Sequence, residues 1–383
     1  MNKILFDLKG TQPTPTTKIH GGGRYGEMIF RRMVERCLPF SCCYDSRLWL
    51  NPDIREIIDR NHIPLYDLAS AELSNVIMEN KISRIFLPVY IETPDFLRQV
   101  DTSRCDIVAT IHDLRNLELP IDYYQVKYKP WKNVLRYIRK RWFGRLYFRR
   151  ERKKITDAFN TPNMKVVTDT YHSSYAFKSY FPELSNVDVP VFYAPSTIVK
   201  EAIGRKYTEN YFLLVSCNRY NKNNLRAIMA LDRLFSAGYA TDYKVKMTGV
   251  NGLDAFTYKV VNRDRFECVG FVDEQELSQL YHDAYCFIFP SLQEGFGYPP
   301  LEAMHCGVPV LSTPYSSVPE ICGGAVIYFN PLSIEEIMNR ILMILDSDVH
   351  QKYSKLALER YQVIEEKQHE DVDKLIDYIL NIE

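Results

Sequence analysis

Apolar positions along the chain form two kinds of run that alternate from end to end. Short continuous runs of β-branched, aromatic and aliphatic residues read as strands buried on both faces, and segments with three- and four-residue apolar spacing between them read as helices. In the first half the strand runs are 3–8, 84–89, 106–111, 165–168 and 189–193, with helical patterns at 24–37, 54–60, 71–80 and 172–180. A second series of strand runs covers 211–216, 243–248, 266–271, 286–289, 308–312 and 325–329. Strand and helix in alternation predict parallel sheets covered on both faces, the doubly wound α/β class. Asp273 with Glu276, and Ser333 with Glu336, stand at capping-box spacing and mark two helix starts. The charged tail 350–383 keeps helical spacing at Leu356, Tyr361, Ile364, Val372, Ile376 and Leu380.

The chain has 383 residues, more than one hydrophobic core usually supports. Two domains are therefore expected, 1–195 and 196–365, divided within the proline-containing stretch 194–206. Nine cysteines without a Cys-x-x-Cys spacing give neither a disulfide framework nor a zinc pattern, so reduced thiols are expected. No apolar stretch approaches the roughly 18 residues that span a bilayer, and Asp7 interrupts any secretory apolar region. The expected location is cytoplasmic, with peripheral contact on the inner face of the cell membrane as an option.

Basic and acidic residues both total 48, so net charge predicts no polyanionic partner. Their distribution changes that picture. Between Lys127 and Lys154 stand thirteen basic residues and one acid, Glu151, interleaved with Tyr128, Trp131, Tyr137, Trp142, Phe143, Tyr147 and Phe148. Such a stretch suits an anionic membrane surface. The competing reading is a solvated helix whose aromatics pack on the domain. No recognition motif accompanies it, so nucleic acid is not an expected partner.

The densest chemical signal is SLQEGFGYPPLEAMHCGVPVLSTPYSSVPE at 291–320. It follows the apolar run 286–289, and its glycines permit a close turn around a ligand. Pro299 or Pro300 suits the first turn of a helix, where the missing donor costs nothing. Free N–H groups at that helix start can receive phosphate. Glu294, before the helix, would stand at the sugar end, and Glu302, one to two turns inside, would reach ribose hydroxyls.

This segment resembles the EGFGxPxLEAMxxGxPV signature of retaining glycosyltransferases of the family-4 type, and the match extends through Ser316, Ser317 and Glu320. The resemblance implies the GT-B fold, two Rossmann-like domains facing a cleft, with the last helix, 366–383, crossing back onto the first. It implies a donor site formed by Glu294, Gly295, Phe296, Gly297, Tyr298 and Glu302. Gly21-Gly22-Gly23-Arg24 resembles the family's amino-terminal glycine loop, placing Gly22, Gly23 and Arg24 near sugar and diphosphate; the family usually has fewer glycines there. His112, in Thr110-Ile111-His112-Asp113, resembles the histidine that hydrogen-bonds the donor sugar. Arg219 and Lys222 resemble the cations that neutralise the diphosphate, although aligning from Leu225 places Asn223 at the usual lysine. Gly270 and Phe271 resemble the strand end whose backbone meets the nucleobase.

The expected activity is transfer of a hexose-type sugar from a nucleotide diphosphate to an acceptor hydroxyl with retention of configuration, in surface polysaccharide or glycan assembly. The catalytic set would be Glu294, His112, Arg219 and Lys222, with no metal and no further cofactor. The acceptor would be a glycan or a lipid-linked glycan. A nucleotide-sugar epimerase on the same fold and a nucleotide-sugar-binding protein with a degenerate site are the alternatives. A dinucleotide dehydrogenase is not expected, because no G-x-G-x-x-G follows the first strand.

Overall fold

The computed structural model describes residues 3–13, 20–90, 100–101, 103–129, 131–196 and 210–381. The chain divides into two compact units: Met1–Leu114, Glu151–Thr197 and Glu365–Glu383 form the first, Arg115–Arg150 and Ile198–Ile364 the second. The expected linker 194–206 lies mostly outside the described residues.

The first unit holds six parallel strands, β1 (Ile4–Asp7), β2 (Phe40–Tyr44), β3 (Leu65–Asp67), β4 (Arg84–Leu87), β5 (Asp106–Thr110) and β6 (Met164–Val167), in the order β3-β2-β1-β4-β5-β6. The second repeats the pattern with β7 (Tyr211–Leu214), β8 (Lys244–Thr248), β9 (Phe266–Gly270), β10 (Cys286–Phe289), β11 (Val310–Ser312) and β12 (Ile327–Tyr328), in the order β12-β11-β10-β7-β8-β9. Both are the doubly wound order. The central strands are buried at every position, because helices cover both faces of a parallel sheet.

The helices are α1 (Gly21–Glu35), α2 (Pro52–Arg60), α3 (Leu73–Asn80), α4 (Arg115–Glu118), α5 (Lys132–Phe159) and α6 (Tyr171–Tyr180), then α7 (Asn224–Ser236), α8 (Glu274–Asp283), α9 (Tyr298–His305), α10 (Val318–Cys322), α11 (Ile334–Ile344) and α12 (Ser347–Asn381). Asp273 and Glu276 form the reciprocal capping box at the start of α8, and the Ser333 side chain accepts from Glu336 at α11.

Three expectations change. The run 189–193 is no strand but a single bridge between Thr168 and Val191, since Pro190 has no donor for a ladder. Gly21-Gly22-Gly23 is not a loop before a helix; it is the first turn of α1, capped by the His20 ring, which accepts from the Gly23 amide at 3.0 Å. A Cβ on Gly23 would stand 2.8 Å from the Thr11 carbonyl oxygen, and one on Gly26 2.6 Å from the Thr11 side chain. These two glycines allow α1 to press against the turn Lys9–Thr11.

The third change is the place of residues 115–150, which cluster with the second unit instead of the first. Tyr128 is buried in the second unit's core and its hydroxyl accepts the Leu225 amide at 2.9 Å. A bridge between Tyr128 and Phe256 and the bonds Lys129 N–H to Ala255 and Thr257 N–H to Lys127 add backbone pairing. Arg226 grips Asp122 through two bonds of 2.7 and 3.0 Å and stacks 3.7 Å over the Tyr124 ring.

From Glu365 on, α12 belongs to the first unit. Buried Arg84 donates to the last carbonyls of the helix, Ile379 and Leu380, at 2.6 and 2.7 Å, and to Asp106 at 3.2 Å. A cation at a helix carboxyl end satisfies orphan carbonyls and meets the negative end of the dipole. Arg32 adds a two-pronged ion pair to Asp373. Among the described residues no helix is long and apolar enough to cross a membrane.

Candidate functional site

In a doubly wound sheet the crevice opens at the carboxyl ends of the two strands where the winding direction reverses. In the second unit these are the adjacent strands β7 and β10. The loop after β7 carries Arg219 and Lys222; the loop after β10 carries Glu294. Residues 72 positions apart in sequence are thereby brought into contact.

Local chemistry fixes both loops. Asn223 takes a left-handed conformation, φ 57°, which asparagine tolerates better than most residues. Its fully buried amide donates to the carbonyls of Pro290 at 3.1 Å and Pro331 at 2.7 Å, and its oxygen accepts from Arg226 at 2.7 Å. The Leu292 amide donates to Asn221 at 2.8 Å. Ser317 Oγ donates to the carbonyls of Glu294 and Phe296, and Ser316 Oγ accepts the Glu294 amide at 2.9 Å. Gly297, φ 109°, makes the sharp turn into α9 that a side chain would strain.

The outcome is a buried ion pair: Lys222 Nζ donates to Glu294 Oε1 at 2.7 Å, with each side chain about one-tenth exposed. Ser291 Oγ donates to the same carboxylate oxygen, and the ammonium stands 5.2 Å over the Phe289 ring. Burial holds Lys222 below the ordinary lysine value, and Glu294 opposes that shift. Arg219 is exposed at its surface, yet crowding of its surroundings and then repulsion from Arg115 hold its guanidinium below the usual arginine value. Arg115 donates to Gln293 at 3.2 Å, and Gln293 in turn donates to Glu118. Three cations thus gather around Glu294.

The other expected donor-site residues fare unevenly. Phe296 is buried, so its side chain belongs to the core, packed 5.2 Å from the Tyr298 ring. Glu302 is half-buried on α9 and Gly295 half-buried before it. The helix start offers less to phosphate than expected: Pro299 and Pro300 occupy the second and third positions, leaving Tyr298 the one backbone donor among the first three helical residues. Gly270 uses its own amide on Val250 and its carbonyl on the Gly249 amide. Phe271 is 81% exposed.

At the corresponding edge of the first unit, His112 follows β5. Its Nδ1 lies 2.8 Å from Asp169 Oδ2 and its Nε2 3.0 Å from the Pro88 carbonyl. Carboxylate and carbonyl are both acceptors, so the geometry asks both ring nitrogens to donate. Burial alone would lower the His112 pKa, but Asp169, aided by Asp113, raises it above the usual histidine value. Burial pushes Asp169 upward as well; the two acceptors facing the ring place the proton on the imidazole. Both nitrogens are therefore occupied, so a sugar contact through His112 requires exchange of one of them. Gly22 and Arg24 are half-buried and Gly23 buried in the first turn of α1.

Among the predicted residues the fold brings together Arg219, Lys222 and Glu294. Around them it adds Arg115, Ser291 and Gln293, and within the first unit it sets Asp169 on His112; sequence reasoning missed all four. Ser291 and Gln293 flank the recognised motif, whereas Arg115 and Asp169 sit in separate segments with no local signal. Among the described residues no group of three His, Cys, Asp or Glu could hold a metal ion.

Comparison with known proteins adds four matches. The family model described as "Glycosyl transferases group 1" matches residues 196–363. O-antigen chain mannosyltransferase B of Escherichia coli is 30% identical over 205 residues, 51% of this chain and 50% of that protein. O-antigen chain mannosyltransferase RfbU of Salmonella typhimurium (strain LT2) is 30% identical over 168 residues, 41% and 45% of the two chains. The chain thus spans about half the length of these curated relatives. Anabaena Alr3699/HepE, crystallised with UDP and glucose, superposes with a TM-score of 0.65 at 15% identity over the whole of both chains. That likeness shows the fold, two parallel six-stranded sheets of the GT-B type.

Proposed function

Residues 196–363 belong to the glycosyl transferases group 1 family, and from that premise we propose that the chain moves a hexosyl group from a nucleotide-diphosphate sugar to an acceptor hydroxyl with retention of configuration. The observation that carries this reading is the buried Lys222–Glu294 pair at the winding reversal of the second sheet, with Arg219 and Arg115 nearby.

A diphosphate leaving group gains negative charge as its bond to the sugar breaks. Cations already placed in a desolvated site stabilise that charge without reorganising at the moment of reaction. In this reading Lys222 and Arg219 meet the diphosphate and take the place of a divalent metal. Glu294 holds sugar hydroxyls and steadies an oxocarbenium-like transition state. Donor binding would give Lys222 a second anion, so Glu294 could turn to the sugar without leaving a bare buried cation. Attack on the same face as departure, assisted by the leaving phosphate, would give retention. Glu302 reaches the ribose, with Gly295, Gly297 and Tyr298 near the phosphates; Gly270 and Phe271 lie toward the base. Gly22, Gly23 and Arg24 are substrate contacts of the first unit, and His112 joins them by exchanging its Asp169 or Pro88 bond for a sugar hydroxyl.

The relatives named O-antigen mannosyltransferases make mannosyl the first donor sugar to test, and a glycan or lipid-linked glycan of surface polysaccharide the first acceptor class. Incubation with a panel of nucleotide sugars, with and without acceptor, tests the proposal. Acceptor-dependent release of nucleotide diphosphate, with the donor's anomeric configuration kept in the product and no loss in EDTA, is the expected result. A changed sugar epimer would make the protein an epimerase, and saturable binding without turnover would make it a binding protein.

A further inference from the structure

The first sixteen residues from Trp131 through Leu146, most of them on α5, carry a feature that the donor-site reading does not use. Trp131, Leu135, Ile138, Trp142 and Leu146 are all exposed, from 42% at Ile138 to 77% at Trp142. The spacing of four, three and four from Trp131 to Trp142 aligns those four as one stripe along the helix, and Leu146 follows just beyond the bend at Phe143. Arg136, Arg139, Arg141, Arg145 and Arg149 are exposed around the stripe, while Lys140, Tyr137 and Tyr147 turn inward. The helix bends at Phe143, φ −115° and ψ 24°, and Phe143 is itself exposed. Just before the helix, the Tyr128 anchor and the pairing of Lys127 and Lys129 with residues 255–257 hold the segment to the second unit's core.

We propose that this stripe is a docking surface for an anionic lipid bilayer, on which α5 lies in the interface with Trp131, Leu135, Ile138, Trp142 and Leu146 inserted and the flanking arginines among the headgroups. Exposed tryptophans and leucines on one face, flanked by cations, describe a helix that lies at a membrane interface and does not span it. Charge selects the occupant. Thirteen basic residues face one acid between Lys127 and Lys154, which complements anionic headgroups and opposes pairing of the stripe with a second copy of itself. The surface stands independently of the proposed activity, since it is defined by exposure and charge alone.

The chain has three tryptophans, Trp49, Trp131 and Trp142, so a W49F variant leaves indole fluorescence only on the stripe. With vesicles of phosphatidylcholine and phosphatidylglycerol this full-length variant should sediment and its emission should shift to the blue. Both effects should fall at high salt and be absent with phosphatidylcholine alone. Changing Arg139, Arg141, Arg145 and Arg149 to glutamate should lower partition by about 100-fold or more, at a several-fold loss per basic residue. Changing Leu135, Ile138 and Leu146 to serine should abolish the blue shift. These side chains face solvent, so the far-ultraviolet circular dichroism and melting temperature of the variants should match the parent. Equal binding to neutral vesicles, sedimentation without a blue shift, tighter binding to single-stranded RNA than to anionic vesicles, or a vesicle-free dimer lost in the serine variant would each overturn the proposal.

Discussion

Two charged pairs stand at the carboxyl ends of two sheets with the same strand order, and they are biased in opposite senses. In the second unit Lys222 and Glu294 meet at 2.7 Å, and burial draws the cation's pKa down. In the first unit His112 and Asp169 meet at 2.8 Å, and the carboxylates draw the cation's pKa up. Burial lowers both cations; at Lys222 one carboxylate does not offset it, whereas at His112 Asp169 and Asp113 together outweigh it. Arg115 and Arg219 crowd Lys222, leaving cations in excess around one acid; Asp113 joins Asp169, leaving acids in excess around one histidine. An edge where exposed Arg219 and Arg115 stand beside the buried Lys222–Glu294 pair has positive charge in surplus and suits an arriving diphosphate. An edge with surplus acid raises the histidine's pKa and ties its ring down. The same scaffold thus yields an anion site or a locked ring, according to which charges the loops supply.

Breaking the first pair should have the largest effect. Glu294→Ala should lower turnover by roughly 10²-fold or more, on the order of 3 kcal/mol, with binding of nucleotide diphosphate retained. Steady-state kinetics beside direct nucleotide binding would check it. Equal activity in variant and parent would remove Glu294 from the chemistry.

Next comes the support beneath Lys222. Asn223→Ala removes an amide bonded to Pro290 and Pro331 from a fully buried, left-handed position. It should cost about 2–4 kcal/mol in denaturant unfolding, while Lys222→Met should cost less stability and far more activity. The reverse ranking would make Asn223 the functional residue and Lys222 the structural one.

The second pair predicts a pH signature. A histidine whose pKa is raised on folding stabilises the protein fully below its unfolded value, and the contribution is lost as pH rises through the folded value. The melting temperature should therefore decline as pH rises above about 6.5, and Asp169→Asn should flatten that decline. A parent curve unchanged by Asp169→Asn would mean that the ring is neutral.

The smallest effect is expected at Glu302, half-buried on α9. Glu302→Ala should raise the donor KM several-fold with little change in kcat, because the ribose contact proposed for it would be made equally in ground and transition states.

What could be read from the sequence follows from how local each signal is. The strand runs, both caps and the long terminal helix are local patterns, and the 291–320 motif carried Glu294 with it. β2 was missed because Phe-Ser-Cys-Cys-Tyr does not read as an apolar run, although buried cysteines act as small hydrophobes. β3 is three half-buried residues. The pairing of His112 with Asp169 spans 57 residues and that of Arg84 with the end of α12 spans 295, distances at which periodicity and capping rules are silent. The assignment of residues 115–150 to the second unit likewise rests on Tyr128 and Asp122 meeting partners about a hundred positions away.

The central claim is that the Lys222 edge receives the donor's diphosphate. Calorimetric titration of the parent, Lys222→Ala and Arg219→Ala with a nucleoside and with its diphosphate tests it most directly. Each variant should lose about tenfold or more in affinity for the diphosphate while its affinity for the nucleoside stays unchanged, because the charge these side chains meet is absent from the nucleoside. Equal losses for both ligands, or no loss for either, would contradict the assignment.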